Sequence, residues 1–163
     1  MTDKVGDSAN HDGDWLVRSL AYHESQQGSR QWRAFLGVLM RELKATAGDG
    51  AADFLRHLGA CMAETMPLAP HDTLEELTAA INLHWHRINW GWCVMTATPE
   101  GIHIQHGAWP RVDVRVEGEW PASLAAVLEG LYDAWLRQQG GDTAIRVRSV
   151  RVCADAPLEF LYG

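Results

Sequence analysis

The chain is short of cysteine, phenylalanine, basic charge and long apolar runs, and each shortage excludes something. Its three cysteines, Cys61, Cys93 and Cys153, are odd in number and far apart in 163 residues. They frame neither a disulfide scaffold nor a zinc knuckle and are expected to be buried reduced thiols. Fourteen Lys and Arg against twenty-one Asp and Glu leave a formal net charge of -7. That excludes a nucleic acid or an anionic membrane captured by a basic surface. No window approaches the roughly 18–20 apolar residues of a membrane helix. The polar, acidic start MTDKVGDSANHDGDW carries no secretory apolar segment. A cytoplasmic protein that is not itself membrane-inserted is therefore expected. Internal repeats and low-complexity tracts are missing too.

Motifs that carry chemistry are equally scarce. There is no HExxH, no CxxC, no paired acidic motif and no nucleophile elbow. The glycines of GDGAAD open a helix with no strand before it, which is not how a phosphate loop is built. Eight histidines invite a metal, but His84 and His86 are two apart on a helix and point in different directions. On a strand, His103 and Gln105 share one face and His106 takes the other. Nothing places a His and an Asn around any cysteine, and Cys93 alternates with Trp92 and Val94 as a buried thiol would. Catalytic, cofactor and metal residues are accordingly expected to be none. Glu129, between Leu128 and Gly130, reads as a solvated or interface carboxylate in preference to a buried acid.

What is present is tryptophan: eight, against three phenylalanines, in a chain that is 47% hydrophobic. Trp32, Trp85 and Trp135 fall on helical stripes and Trp90 comes close to one, which favours core or subunit-interface packing over ligand stacking. Trp109 and Trp120 each precede a proline and suit the anchoring of loop ends. Trp15 is the candidate for an exposed aromatic. Tryptophan at this frequency suits large protein interfaces, and it equally suits carbohydrate contact.

The patterning predicts an α+β fold of about four main helices with a small antiparallel sheet. Residues 1–29 read as a flexible leader with one short amphipathic piece, DWLVRSLAYHE, and 30–163 as a single domain. The first helix carries a stripe of Trp32, Phe35, Leu36, Leu39, Met40 and Leu43. A second, over 50–66, repeats it with Phe54, Leu55, Leu58, Cys61 and Met62. Thr73 and Glu76 form a capping box for a third, with Leu74, Leu77, Ile81, Trp85 and Ile88. After Gly91 the period shifts toward two, and Pro99-Glu100-Gly101 separates two strands as a hairpin turn. Trp90 and Trp92 are expected to pin that helix-to-strand corner against the core. RVDVRVEG, 111–118, alternates as an edge strand or extended arm. Pro121 suits the first turn of a fourth helix with Leu124, Val127, Leu128, Leu131, Tyr132, Trp135 and Leu136. The tail holds a strand pair, with a bulge expected at Arg148-Ser149.

Three strings, INLHWHRINWGW (81–92), IQHGAWP (104–110) and LAAVLEGLYDAWL (124–136), resemble the D subunit of bacterial cellulose synthase complexes. The likeness runs in order over about residues 30–163. Its most specific pieces are Ile88-Asn89-Trp90-Gly91 and Val127-Leu128-Glu129-Gly130-Leu131-Tyr132 with Trp135, which it marks as structural. The resemblance implies a non-catalytic accessory protein that helps guide nascent β-1,4-glucan chains for export and crystallisation, as in biofilm cellulose. It implies a homo-octamer built from dimers, with internal glucan passages, working with other synthase subunits or a Pro-rich accessory protein. It places the protein on the cytoplasmic side near the inner membrane, a periplasmic position being the alternative. The segment that lines the passages in the family corresponds to Ser29, Arg30 and Gln31. The longer leader ahead of it, with His11, Trp15 and Tyr22, shares no motif, and Trp15 joins the passage-lining set as its exposed aromatic. An acidic cytoplasmic secretion chaperone of α/β fold, binding an exported partner, is the competing reading, and a small hydrolase or metal protein using His and Cys the third.

Overall fold

The shift of hydrophobic period at Gly91 is where the architecture changes. Residues 30–112 and 120–163 are described in a computed structural model of the protein. Before Gly91 run α1 (Arg30–Ala47), α2 (Gly50–Thr65) and α3 (Leu74–Ile88); after it come β1 (Trp92–Thr98), β2 (Gly101–Gly107), α4 (Trp120–Gln138), β3 (Val147–Arg151) and β4 (Leu158–Tyr162). The strands form one antiparallel sheet in the order β1-β2-β4-β3. The fold is α+β, as the patterning predicts.

Local chemistry sets the element ends. Thr73 Oγ1 accepts the Glu76 backbone N–H at 3.2 Å and starts α3. The helix ends at Asn89, whose φ of 54° and ψ of 44° are left-handed. There the Trp90 N–H reaches the Trp85 carbonyl at 3.0 Å and the Asn89 N–H reaches that of His86 at 3.4 Å. Trp90 also stacks on Trp85, rings 6.0 Å apart and nearly parallel, which is the apolar contact that accompanies this type of helix end. Gly91 follows at φ 93°, so close to Gly107 and Ala108 that a Cβ would meet their backbone oxygens. The corner therefore needs both Asn89 and Gly91. Pro99-Glu100 forms the two-residue hairpin loop between the paired Thr98 and Gly101.

α4 is the central element. Buried residues run almost all round it, from Trp120 and Pro121 to Trp135 and Leu136. It packs most extensively on α2, and its far side meets β3 and β4. The α2 face that it covers is Ala51, Leu55, Gly59 and Ala63, not the larger residues beside them.

Several expectations need correction. The stripe of α1 is not in the core: Met40 is buried, but Trp32 and Phe35 are each 54% exposed and Leu39 is exposed as well. On α2, Phe54 and Leu58 are exposed, because close packing selects the small-residue stripe and leaves the large one outside. Ile88 is also at the surface. Cys93 is buried, yet Cys61 is half-buried and Cys153 exposed. The β3 irregularity falls between Ser149 and Arg151, one residue later than Arg148-Ser149. Arg111 and Val112 lie outside any strand, and the rest of RVDVRVEG lies outside the described residues, as does the leader 1–29.

Candidate functional site

Trp85, Trp90, His106, Tyr132 and Trp135, noted in the sequence, meet in a buried aromatic cluster, and Glu129 lies in a charged cleft. In the first, Trp85 at the end of α3 is surrounded by the rings of Trp90, His106, Tyr132 and Trp135 at 5.0–6.0 Å. His106 is fully buried. Its Nε2 lies 2.8 Å from the Trp90 carbonyl oxygen, which can only accept, so Nε2 carries the proton. Nδ1 then accepts from the Tyr132 hydroxyl at 2.7 Å. Burial pushes the imidazole down to about 4, with the bond to the Trp90 carbonyl pulling weakly upward.

Cys93 sits beside Tyr132 and Trp85. Burial pushes its thiol up to about 11, outweighing the pull of those two donors. A thiol so held is a poor nucleophile. The Cys–His–Tyr constellation thus closes the helix-to-strand corner and presents no reactive group to solvent. The neutral His106 has a measurable consequence. Below pH 6.5 the unfolded chain takes up a proton that the folded chain refuses until about pH 4, so stability is fully present above 6.5 and drains as pH falls. The loss is roughly 3 kcal/mol across that window. Urea unfolding of wild type and His106→Asn from pH 7 to 4 should show the gap between them closing. A constant gap contradicts the assignment.

The second place is an open cleft of about 650 Å³ between α2, α4 and β3. Glu129, expected at the surface, is 5% exposed, because α4 is covered on both sides. Its carboxylate accepts from the Ser149 N–H and hydroxyl, both at 2.7 Å, and from Arg56 Nε at 2.6 Å. One turn on, Asp133 accepts the Val147 N–H at 3.1 Å and pairs with Arg137 at 2.8 Å. Two carboxylates at i and i+4 thus take the outward N–H groups of edge strand β3. At the opposite edge the Asn82 amide bonds both the N–H and the C=O of Cys93, at 2.7 and 2.9 Å. Both treatments blunt strand addition at the sheet edges. Asn82, Arg56, Asp133 and Ser149 are missed by sequence reasoning. The i, i+4 spacing of Glu129 and Asp133 is the one sequence signal that could have found that carboxylate pair.

Most of the motif residues are packed inside the molecule. Gly130 lies against the Arg56 carbonyl, Val127, Leu128 and Leu131 fill the core, and the Trp135 indole N–H donates to the Met66 carbonyl at 2.9 Å. Trp109 and Trp120 do anchor loop ends, donating to Ala156 and Pro110 carbonyls. Such a pattern of buried motif residues is what a family fingerprint made of packing would show. The model of the family described as the D subunit of cellulose synthase matches residues 18–163.

The chain belongs to this family.

Two relatives from Komagataeibacter xylinus and Komagataeibacter sucrofermentans, each named cellulose synthase operon protein D, are 34% identical to it. Each match spans 112 residues, 66% of this chain and 70% of the relative. Membership of the D-subunit family ties the chain to cellulose synthesis. Of the expected passage-lining residues, Arg30 and Gln31 open α1, while Ser29 and Trp15 lie outside the described residues. The fold of this cellulose synthase family member also leaves an aromatic patch open. Trp32 and Phe35 meet edge to face at 5.7 Å on α1, and Val38, Leu39, Phe54 and Leu58 are exposed with them on α1 and α2. Among the described residues no helix is long and apolar enough to cross a membrane.

Proposed function

We propose that this chain is a non-catalytic accessory component of the cellulose synthesis machinery, a ring-forming scaffold that guides nascent β-1,4-glucan toward export and crystallisation. One observation carries the reading. In a member of the D-subunit family, the first helix turns Trp32, Phe35 and Leu39 to solvent, and large apolar side chains grouped on one exposed helix face mark an interaction surface. Symmetric self-assembly gives such a face a use. In this reading dimers associate to an octamer near the cytoplasmic side of the inner membrane, beside other synthase subunits or a Pro-rich accessory protein. Residues 1–29 form a leader ahead of the 30–163 domain, and Ser29, Arg30 and Gln31, with Trp15, line the glucan passages. A passage for a neutral polymer needs polar side chains and some aromatic surface but no deep pocket, since tight binding would stall movement.

Native mass spectrometry of the full chain should give eight copies of the 18.1 kDa protomer. The double variant Trp32→Asp, Phe35→Asp should fall to dimer or monomer while keeping its secondary structure. It should also fail to restore ordered cellulose in a producing strain that lacks the gene. A wild-type protein that stops at a dimer would overturn the ring, and normal cellulose in the deleted strain would overturn the role itself.

A further inference from the structure

The outer face of the sheet carries a feature that lies apart from the residues proposed to line the passages. On β1, Cys93 and Met95 turn inward and are buried, whereas Trp92, Val94 and Thr96 turn outward and are exposed. Trp92 stands opposite Gly107 in register, and its six-membered ring lies across that glycine, where any Cβ would run into it. One side of the indole is thus set against backbone, and Trp92 remains 44% exposed. Trp90 pins the corner to the core as expected; Trp92 does not, because the strand's alternation turns it to the other face.

The indole forms one wall of an open cleft of about 120 Å³, whose other walls include Trp109, Arg111, Asp155 and Pro157. The Arg111 guanidinium stands 5.2 Å over the Trp109 ring and 3.7 Å from an Asp155 carboxylate oxygen. Asp155 itself is 89% exposed, so its hydrogen-bonding capacity faces solvent. Ala108, also in the cleft, holds φ at 53°, a left-handed conformation costly for a residue with a Cβ.

The chemistry narrows the ligand. An anion would meet Asp155, and a purely apolar group would desolvate Arg111 and Asp155 without replacing their hydrogen bonds. A sugar satisfies both sides, because its C–H face stacks on an indole while its equatorial hydroxyls bond a carboxylate and a guanidinium at the rim. The next outward cross-strand row, Val94, Gln105 and Glu159, is followed by Thr96, His103 and Leu161. A surface of mixed polar and apolar side chains therefore continues along the strands, which suits an extended flat ribbon more than a compact monosaccharide.

We propose that Trp92, with Arg111 and Asp155 at its rim, forms an external subsite that holds a β-1,4-linked glucan segment flat against the outer face of the sheet. The inference rests on the glucan-guiding reading above and adds a contact outside the passages. A single indole beside an open rim gives a weak, fast-exchanging hold, compatible with a polymer in motion.

Titration of the full-length protein with cellohexaose, followed by NMR or calorimetry, tests this, with maltohexaose as the helical α-linked control. Wild type should bind cellohexaose in preference to maltohexaose. Trp92→Ala should weaken binding about tenfold or more, Trp92→Phe should retain most of it, and Asp155→Asn should lose several-fold, all at unchanged native mass. Cellohexaose binding as tight in Trp92→Ala or in Asp155→Asn as in wild type overturns the subsite and leaves the glucan reading standing. Trp92→Ala that no longer assembles, beside an Asp155→Asn that binds normally, makes Trp92 a contact between protomers and overturns it too. A wild type that ignores cellohexaose also overturns the subsite. The underlying reading falls with it only if deletion of the gene leaves cellulose unchanged.

Discussion

Replacing Gly130 with alanine is expected to destabilise the protein by about 3 kcal/mol, at the upper end of what overpacking costs. Gly130 on α4 faces the Arg56 carbonyl of α2, and Gly59 on α2 faces the Val127 carbonyl of α4, each so near that a Cβ would overlap the opposing backbone. The two helices cross at this pair of glycines. A methyl group at either cannot be absorbed by a side-chain rotation, because what it meets is main chain. The helices would have to separate, opening the contact that also carries Leu55, Leu128 and Leu131. Gly50→Ala is the control: it opens α2 with nothing within 4 Å, and alanine there should be neutral or stabilise by about 0.5 kcal/mol. Guanidinium unfolding of the three proteins measures both. A Gly130→Ala protein within about 1 kcal/mol of wild type would mean that the crossing is looser than the geometry states.

The second large effect concerns Glu129. Its buried carboxylate accepts from Arg56 and from the N–H and hydroxyl of Ser149. Truncation to alanine leaves a strand N–H without its acceptor and a guanidinium without its nearer partner. Arg56 is partly exposed and also reaches Asp53 at 2.9 Å, so water and Asp53 absorb part of the loss. Roughly 2–3 kcal/mol is expected for Glu129→Ala, dominated by the unsatisfied Ser149 groups. Glu129→Gln keeps the shape and an acceptor oxygen for Ser149, and should lose only about half as much. Equal losses in the two variants would show that the charge matters and the strand N–H does not. Hydrogen exchange at the Ser149 amide separates the cases directly, since only the alanine variant should deprotect it strongly.

The legibility of this fold in its sequence varied with the kind of information needed. Element order and type were readable, since they depend on the period of apolar residues and on local stops. Thr73 before α3, Pro121 at the start of α4 and Pro99-Glu100 in the hairpin act within a few residues of themselves. So does the corner at Asn89-Trp90-Gly91, where the glycine was visible but the left-handed Asn89 was not. The family strings were readable as well, because they record the packing around α3, β2 and α4.

The chemistry of the individual site residues was less readable. A carboxylate in a helix looks the same in sequence whether it faces water or an edge strand, and Glu129 became buried only because β3 and α2 close over it. Asn82 carries no sequence signal for its two hydrogen bonds with the Cys93 backbone, eleven residues away. Trp92 and Trp90 flank one glycine and differ completely in environment.

The local sequence by itself determined where helices and strands begin and end, which residues share a face, and to which family the chain is similar. Only the tertiary structure decided which of two apolar stripes on α2 is covered, that the aromatic face of α1 is left open, and that Trp92 lies outward on Gly107. The physical reason is that periodicity defines a face but not its partner. Partners are chosen by shape and backbone approach between segments far apart in the chain, and small residues such as Gly59 and Gly130 win that contest without any hydrophobic signal of their own.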